Sequence, residues 1–349
     1  MSALDKRVDA ILAEPLAPAR AAERAIGHVG LEIPDDLLAA SGRFVTHLPW
    51  SIDRPTPRAD SWLESSFPVG ARSIVEDWAD GRFDFLEAVL FTRGEDSSQR
   101  LYYYVCELQR RGEIGGPEPL IFDVAKVPRP TSVTRTRDSL IHLGERLGVD
   151  ADVLRAGIAA TNGQRHFFTD LAARRSGPGS RYERIARAAL FDRLEQLDPG
   201  PGAPDRSGPR LLLAGSAPPD DRIHRAIEAS GANVVGEYYD RSLERLGAPL
   251  DPKGDPFLAL AEHAHEAKLG ARSFVDRAAS LVDRARAARA DAVVLWLVAE
   301  EEALVWHVPA QRRALAEAAI PALVLTSRSI DASDGAIEEI AQFVSGIGR

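Results

Sequence analysis

A chain of 349 residues, 45% hydrophobic and 27% charged, has the make-up of a folded globular protein, and its length points to two lobes rather than one core. The formal net charge of -9 argues against a general binder of nucleic acid or anionic membrane, because phosphate surfaces attract basic proteins. A single cysteine, Cys106, excludes an internal disulfide framework and any zinc or cluster site that draws several thiolates from this chain.

The opening residues carry Asp5, Asp9 and Glu14 and no apolar stretch of the kind a signal peptide needs. No apolar run approaches the roughly 20 residues of a membrane span, so a cytoplasmic address is the expectation. Leu4, Val8, Ile11 and Leu12 recur at helical spacing. Pro34 opens a short helix with Leu37 and Leu38 on its apolar side, and residues 43–48 (RFVTHL) are strand-like. A proline-rich loop follows, then a helix through Ile74, Val75 and Trp78. The continuous apolar character of residues 85–92 (FLEAVLFT) predicts a buried strand. A helix over 97–111 and a strand over 120–124 complete a β-α-β-α order, which implies a parallel sheet with crossover helices.

Residues 131–197 are almost wholly helical in pattern, and 198–209, rich in Pro, Gly and Asp, form the best linker. Alternation then becomes clean. Strands are expected over 210–214, 233–235, 292–298 and 322–326, with helices over 219–230, 257–267, 271–290, 311–319 and 335–347. The whole predicts an α/β fold: two Rossmann-like parallel-sheet lobes with a helical segment between them. The divisions fall at 1–130, 131–205 and 206–349.

In open α/β sheets, ligands bind beyond the C-terminal strand ends. Four such ends offer candidates. Arg93 and Glu95 follow the strand over 85–92. Gly215-Ser216 follows the strand over 210–214 and suits either an anion against backbone N–H groups or an ordinary turn capped by Ser216 or Asp220. Glu300, Glu301 and Glu302 follow a strongly apolar strand and suit proton transfer, a hard cation, or simply a solvated helix start. Thr326-Ser327-Arg328 ends the last strand. His307 lies within two turns of the glutamates. Cys106 has no basic neighbour in sequence and reads as a structural thiol. Asn162 and Arg165, three apart on one helix surface, suit bracing a neighbouring element.

Several stretches together resemble the 2-hydroxyacyl-CoA dehydratase and benzoyl-CoA reductase family. They are residues 34–49 (PDDLLAASGRFVTHLP), 83–101 (FDFLEAVLFTRGEDSSQRL), 154–171 (LRAGIAATNGQRHFFTDL) and 210–235 (RLLLAGSAPPDDRIHRAIEASGANVV), followed by the strand over 290–297 and by Ile320-Pro321. The resemblance implies an acyl-CoA-handling subunit that works as a heterodimer beside a cysteine-containing homologue, with an ATP-dependent activator that delivers one electron. It also implies a [4Fe–4S] cluster held between lobes by cysteines at strand ends. Here Glu95 stands at one such position and Glu300 or Glu301 at another. Gly30 lies near a third, and a fourth falls within residues 66–69. Carboxylates are hard ligands and do not hold a cubane. The expectation is therefore that no cluster sits on this chain, and that one is possible only in the partner subunit.

Within that resemblance, Glu95 and Glu300 are the candidate acid and base, Gly215, Ser216, Arg93 and His307 the candidate ligand contacts, and Glu301 a possible cation ligand. Two rivals remain: a stand-alone ligand- or metal-binding protein, and a non-redox acyl-CoA lyase or hydrolase. The last needs Glu95 and Glu300 to converge.

Overall fold

The computed structural model describes residues 2–204, 207–267, 270 and 272–347. Two four-stranded sheets carry the fold. The first is built from β1 (Ala25–Val29), β2 (Phe44–His47), β3 (Ala88–Thr92) and β4 (Glu118–Phe122), in the order β2-β1-β3-β4. The second uses β5 (Arg210–Gly215), β6 (Asn233–Tyr238), β7 (Ala292–Val298) and β8 (Ala322–Arg328), in the order β6-β5-β7-β8. Every pairing in both is parallel. This is the expected α/β fold with two Rossmann-like lobes.

The shared strand order gives each sheet a switch point, between β1 and β3 and between β5 and β7, where crossovers leave in opposite directions and a crevice opens. Both switch points begin with a glycine. Gly30 follows β1 with φ +99°, and a Cβ there would meet the Ser98 and Thr92 hydroxyl oxygens at 2.5 Å. Gly215 ends β5 with φ +108°, and its Cβ would run into the Trp296 carbonyl oxygen. A positive φ and a crowded neighbour both require glycine at these turns.

β1 is absent from the pattern-based expectation. Its five residues (AIGHV) are all buried, yet Gly27 and His28 interrupt the apolar run on which the prediction depends. Helix ends moved for local reasons. The helix expected over 271–290 spans Arg277–Ala287, because the Asp276 carboxylate accepts from the N–H groups of Ala278 and Ala279 (both 3.0 Å) and starts it there. Ala271 lies outside the described residues.

The helix Ala151–Ala173 runs beside the cavity described below and packs on the short helix Asp35–Ala40. The N-terminal helix Ala3–Ala13, closed by a Ser2–Asp5 capping box, packs on the helix Gly179–Ala188. Leu250, Phe257, Leu260 and Ala261, all from the C-terminal half, are buried in the core of the first lobe with Leu140, Leu143 and Ile158. No helix among the described residues is long and apolar enough to cross a membrane.

Candidate functional site

The C-terminal strand ends of the first lobe, the helix Ala151–Ala173 and the loop after β6 enclose a cavity of about 1010 Å³. His28 and His47, paired in register on β1 and β2, stand at its wall with Lys126 from beyond β4, Arg165 from the long helix, and Asp240, Arg241 and Arg245 from the loop after β6. The volume lies at the upper end of small-molecule sites.

Buried charge dominates this cavity. Arg165 makes a two-pronged pair with Asp36, Nη1 to Oδ1 and Nη2 to Oδ2 at 2.7 Å each, with both side chains 2% exposed. Its Nε donates to the Leu246 carbonyl at 3.0 Å. Asn162 exchanges two hydrogen bonds with the Leu250 backbone, at 2.8 and 2.9 Å. The bracing expected of Asn162 and Arg165 is thus present: they fix the loop after β6 to the long helix. Lys126 Nζ donates to the Ala264 carbonyl at 2.6 Å and lies 3.4 Å from Glu32. Burial pushes its ammonium below the usual lysine value, against the pull of Glu32.

The two histidines are neutral. Burial lowers His28 to about 3, and nearby Arg245 adds to the fall. His47 is driven well below its ordinary value by burial, with His28 and Arg241 acting in the same direction. Their rings meet edge to face at 5.0 Å, and Trp50 packs on His47 at 5.1 Å.

The strand tips meet beside this cavity. Glu95 precedes the helix Asp96–Arg111, and its carboxylate lies 3.6 Å from the Arg241 guanidinium. Arg241 in turn covers the Trp50 ring at 4.8 Å. Glu95 keeps 26% of its side-chain surface, yet burial pushes its carboxyl up to about 7. Arg241 opposes that rise, while Asp240 and Glu301 reinforce it. Asp240 and Glu301 are themselves raised by burial. Three carboxyl groups from the ends of β3, β6 and β7 therefore share one electrostatic neighbourhood, with Arg241 and Arg277 as its cations.

The sequence candidates divide accordingly. Glu95 and Glu301 belong to the carboxyl neighbourhood. Glu300 is exposed on the turn after β7, and the carboxylate that acts on Glu95 from that turn is Glu301. Glu301 Oε1 also accepts from the N–H groups of Ala303 and Leu304, at 3.1 and 3.0 Å. His307 is half-buried, and burial and then Arg277 lower its imidazole.

Gly215 lines a small side cavity of about 30 Å³ with Tyr238, Asp240 and Arg277. Ser216 is turned to the sheet instead: its N–H donates to the Trp296 carbonyl (2.8 Å) and its hydroxyl accepts from the Val298 N–H (3.2 Å). Asp220 accepts from the Arg222 N–H at 2.9 Å, an Asx turn one residue ahead of the helix N-cap Asp221. Arg93 is exposed, 3.3 Å from Asp123, and its carbonyl accepts from Arg272 at 2.6 Å.

The positions where cluster thiolates were implied do not fit a cubane. Their donors are carboxylates at Glu95 and Glu301 and a bare backbone at Gly30. Cys106 lies within the helix Asp96–Arg111 beside Tyr102, where burial raises its thiol away from thiolate. Among the described residues, no group of three or more His, Cys, Asp or Glu side chains is placed to hold a metal ion.

Sequence reasoning missed His28, Arg241 and Arg245. His28 lies in the unrecognised strand. The two arginines sit in the non-periodic stretch after β6, where only their density among hydrophobic residues (YYDRSLERL) marked them.

Residues 31–344 match the family model described as 2-hydroxyglutaryl-CoA dehydratase, D-component. No curated protein matches the chain.

Proposed function

Because the chain belongs to the 2-hydroxyglutaryl-CoA dehydratase D-component family, we propose that it is an acyl-CoA-binding subunit of a dehydratase or reductase complex that carries no iron–sulfur cluster of its own. The observation that supports this most is the cavity of about 1010 Å³ at the C-terminal strand ends, walled by neutral histidines and buried arginines. Its volume suits an acyl chain with part of a pantetheine arm, and its cations suit the polar end groups of such a ligand. The component label in the family description supports a partner subunit. In this reading the partner is a cysteine-containing homologue that holds the cluster, served by an ATP-dependent activator.

The test is calorimetric titration of the isolated chain with butyryl-CoA, followed by co-expression with a cysteine-containing homologue and iron analysis. Saturable thioester binding by the isolated chain, with iron only in the co-purified pair, is the expected result. Iron retained by this chain alone, or no thioester binding in either form, would overturn the proposal.

A second reading has one observation on its side. Glu95, held near neutrality beside Arg241, has the proton affinity of a general acid–base at pH 7. A non-redox proton transfer on a bound thioester would lose activity on Glu95→Gln, with a pH profile inflecting near 7.

A further inference from the structure

We propose that Glu183 is a proton-controlled latch between the helical segment and the second lobe, holding the joint shut while its carboxyl carries a proton and releasing it when that proton is lost.

The helix Gly179–Ala188 closes this joint. It packs on the helix Arg222–Ala229 and β6 of the second lobe, on the N-terminal helix and on the turn Leu243–Leu246. Its first turn sits tightly. Ser180 gives its N–H and its hydroxyl to the Glu228 carboxylate, at 2.7 and 2.8 Å, and a Cβ on Gly179 would meet Val234 at 2.6 Å.

Two glutamates are buried in the joint to the same depth, each with 6% of its side chain exposed, but they are treated differently. Glu237, on β6, accepts from both terminal nitrogens of Arg175 at 2.5 Å, and His224 Nε2 lies 3.3 Å away. Burial works against its charge, yet Arg175 and then His224 hold its carboxyl at about 2. Glu183 has no such partner. Its buried Oε2 accepts no hydrogen bond, and Arg187 Nε, 3.1 Å from Oε1, is not aligned to donate. Asp220 and Asp221 face it with like charge, each drawn off in part by Arg222 and Arg225 at 2.7 Å. The fully buried His224 is already engaged by Glu237. The remaining charges of the packed elements are taken up elsewhere. Arg184 bonds Asp9 at 2.5 Å and lies 3.7 Å from Asp221, and Arg181 bonds Asp5 at 2.7 Å. Glu244 pairs with Arg284, and Arg245 donates to the Ala189 carbonyl. A buried carboxylate without a full set of partners is costly, so a proton takes the place of the missing counter-charge. Burial accordingly pushes the Glu183 carboxyl up to about 7, against Arg187 and His224 and with the help of Asp221 and Asp220.

The latch reaches the cavity through the chain. Tyr239, 5% exposed beyond β6, feels the Glu183 charge and directly precedes Asp240 and Arg241. The turn that carries Arg245 packs on the same helix. Releasing the joint therefore loosens the loop that walls the cavity.

A proton held more tightly in the closed joint than in the open one favours closure. With about 7 for the closed state and the ordinary 4.5 for the open one, the opening equilibrium should rise roughly tenfold between pH 6 and pH 8. Hydrogen exchange of the full chain, read by mass spectrometry and corrected for the intrinsic pH dependence of amide exchange, measures that opening. Amides of residues 179–188 and 222–229 should lose roughly tenfold protection over this range, while those of β3 keep theirs. Glu183→Gln should hold the joint protected at both pH values. Unchanged protection in the wild type, or a loss that persists in Glu183→Gln, overturns the latch. So does a loss shared equally by β3, or one abolished by Glu95→Gln instead. If Glu183→Gln does not fold by circular dichroism, the equally uncharged Glu183→Met takes its place, and a persisting loss there overturns the proposal.

Discussion

Arg165 and Arg245 line one cavity and are both withdrawn from water, but the fold treats them in opposite ways. Arg165 spends its guanidinium on Asp36, Asn162 and the Leu246 carbonyl. Arg245 has one carbonyl contact and an idle nitrogen. The first is a strut: its charge is cancelled within the protein and its geometry fixes the loop after β6. The second is a buried cation with no carboxylate at ion-pair distance among the described residues, so its burial goes uncompensated. The tips repeat the contrast. Ser216 is fully used between β5 and β7, whereas Glu95 sits among carboxylates and takes up a proton near neutral pH.

The contrast breaks most visibly at the strut. Arg165→Met leaves Asp36 as an unpaired buried carboxylate and should lower unfolding free energy by about 3–5 kcal/mol in urea titration. A loss below about 1 kcal/mol would mean that the pair carries no structural load. Glu95 comes next, through pH. Its folded pKa of about 7 lies above the ordinary glutamate value of 4.5, so the unfolded chain releases this proton first. Stability from this group is full below pH 4.5 and drains away as pH rises to about 7, by about 3 kcal/mol at most. Glu95→Gln should flatten that slope, so melts of variant and wild type at pH 5 and pH 8 should differ more at pH 8, with the variant the more stable there. Parallel curves would remove the raised carboxyl from the account.

Ser216→Ala sharpens the satisfied side. It strands the Val298 N–H and should cost about 1–2 kcal/mol by chemical denaturation, without altering ligand binding. Arg245→Met gives the smallest change and the opposite sign. Removing a cation without a partner should leave stability unchanged or raise it by about 1 kcal/mol, and a large loss would place Arg245 with Arg165 as a strut.

Much of the architecture was legible because its signals are local. The apolar runs of β3, β5 and β7 announce buried parallel strands and that of β8 an edge strand, and the Gly215 turn and the pair Asn162/Arg165 were visible at their sequence spacing. β1 was not, since Gly27 and His28 break the run while helices cover both of its faces. The site was legible in half. Glu95 and the glutamates after β7 stand at strand ends that any parallel sheet would bring to one side. Which of the neighbouring glutamates acts on Glu95 depends on a turn that no spacing encodes, and it is Glu301. Arg241 and Arg245 come from a loop without periodicity, and their partners lie as far off in sequence as Trp50, Glu95 and Ala189. Only the closed tertiary structure brings them together.

The stretch that carries Leu250, Phe257, Leu260 and Ala261 leaves the second lobe, fills the core of the first and returns to form β7. The polypeptide is therefore interlaced: each half completes the other. A cut in the proline-rich stretch near residue 200 should therefore leave fragments that stay together as a non-covalent complex on size-exclusion chromatography, and neither half expressed alone should have a closed interior.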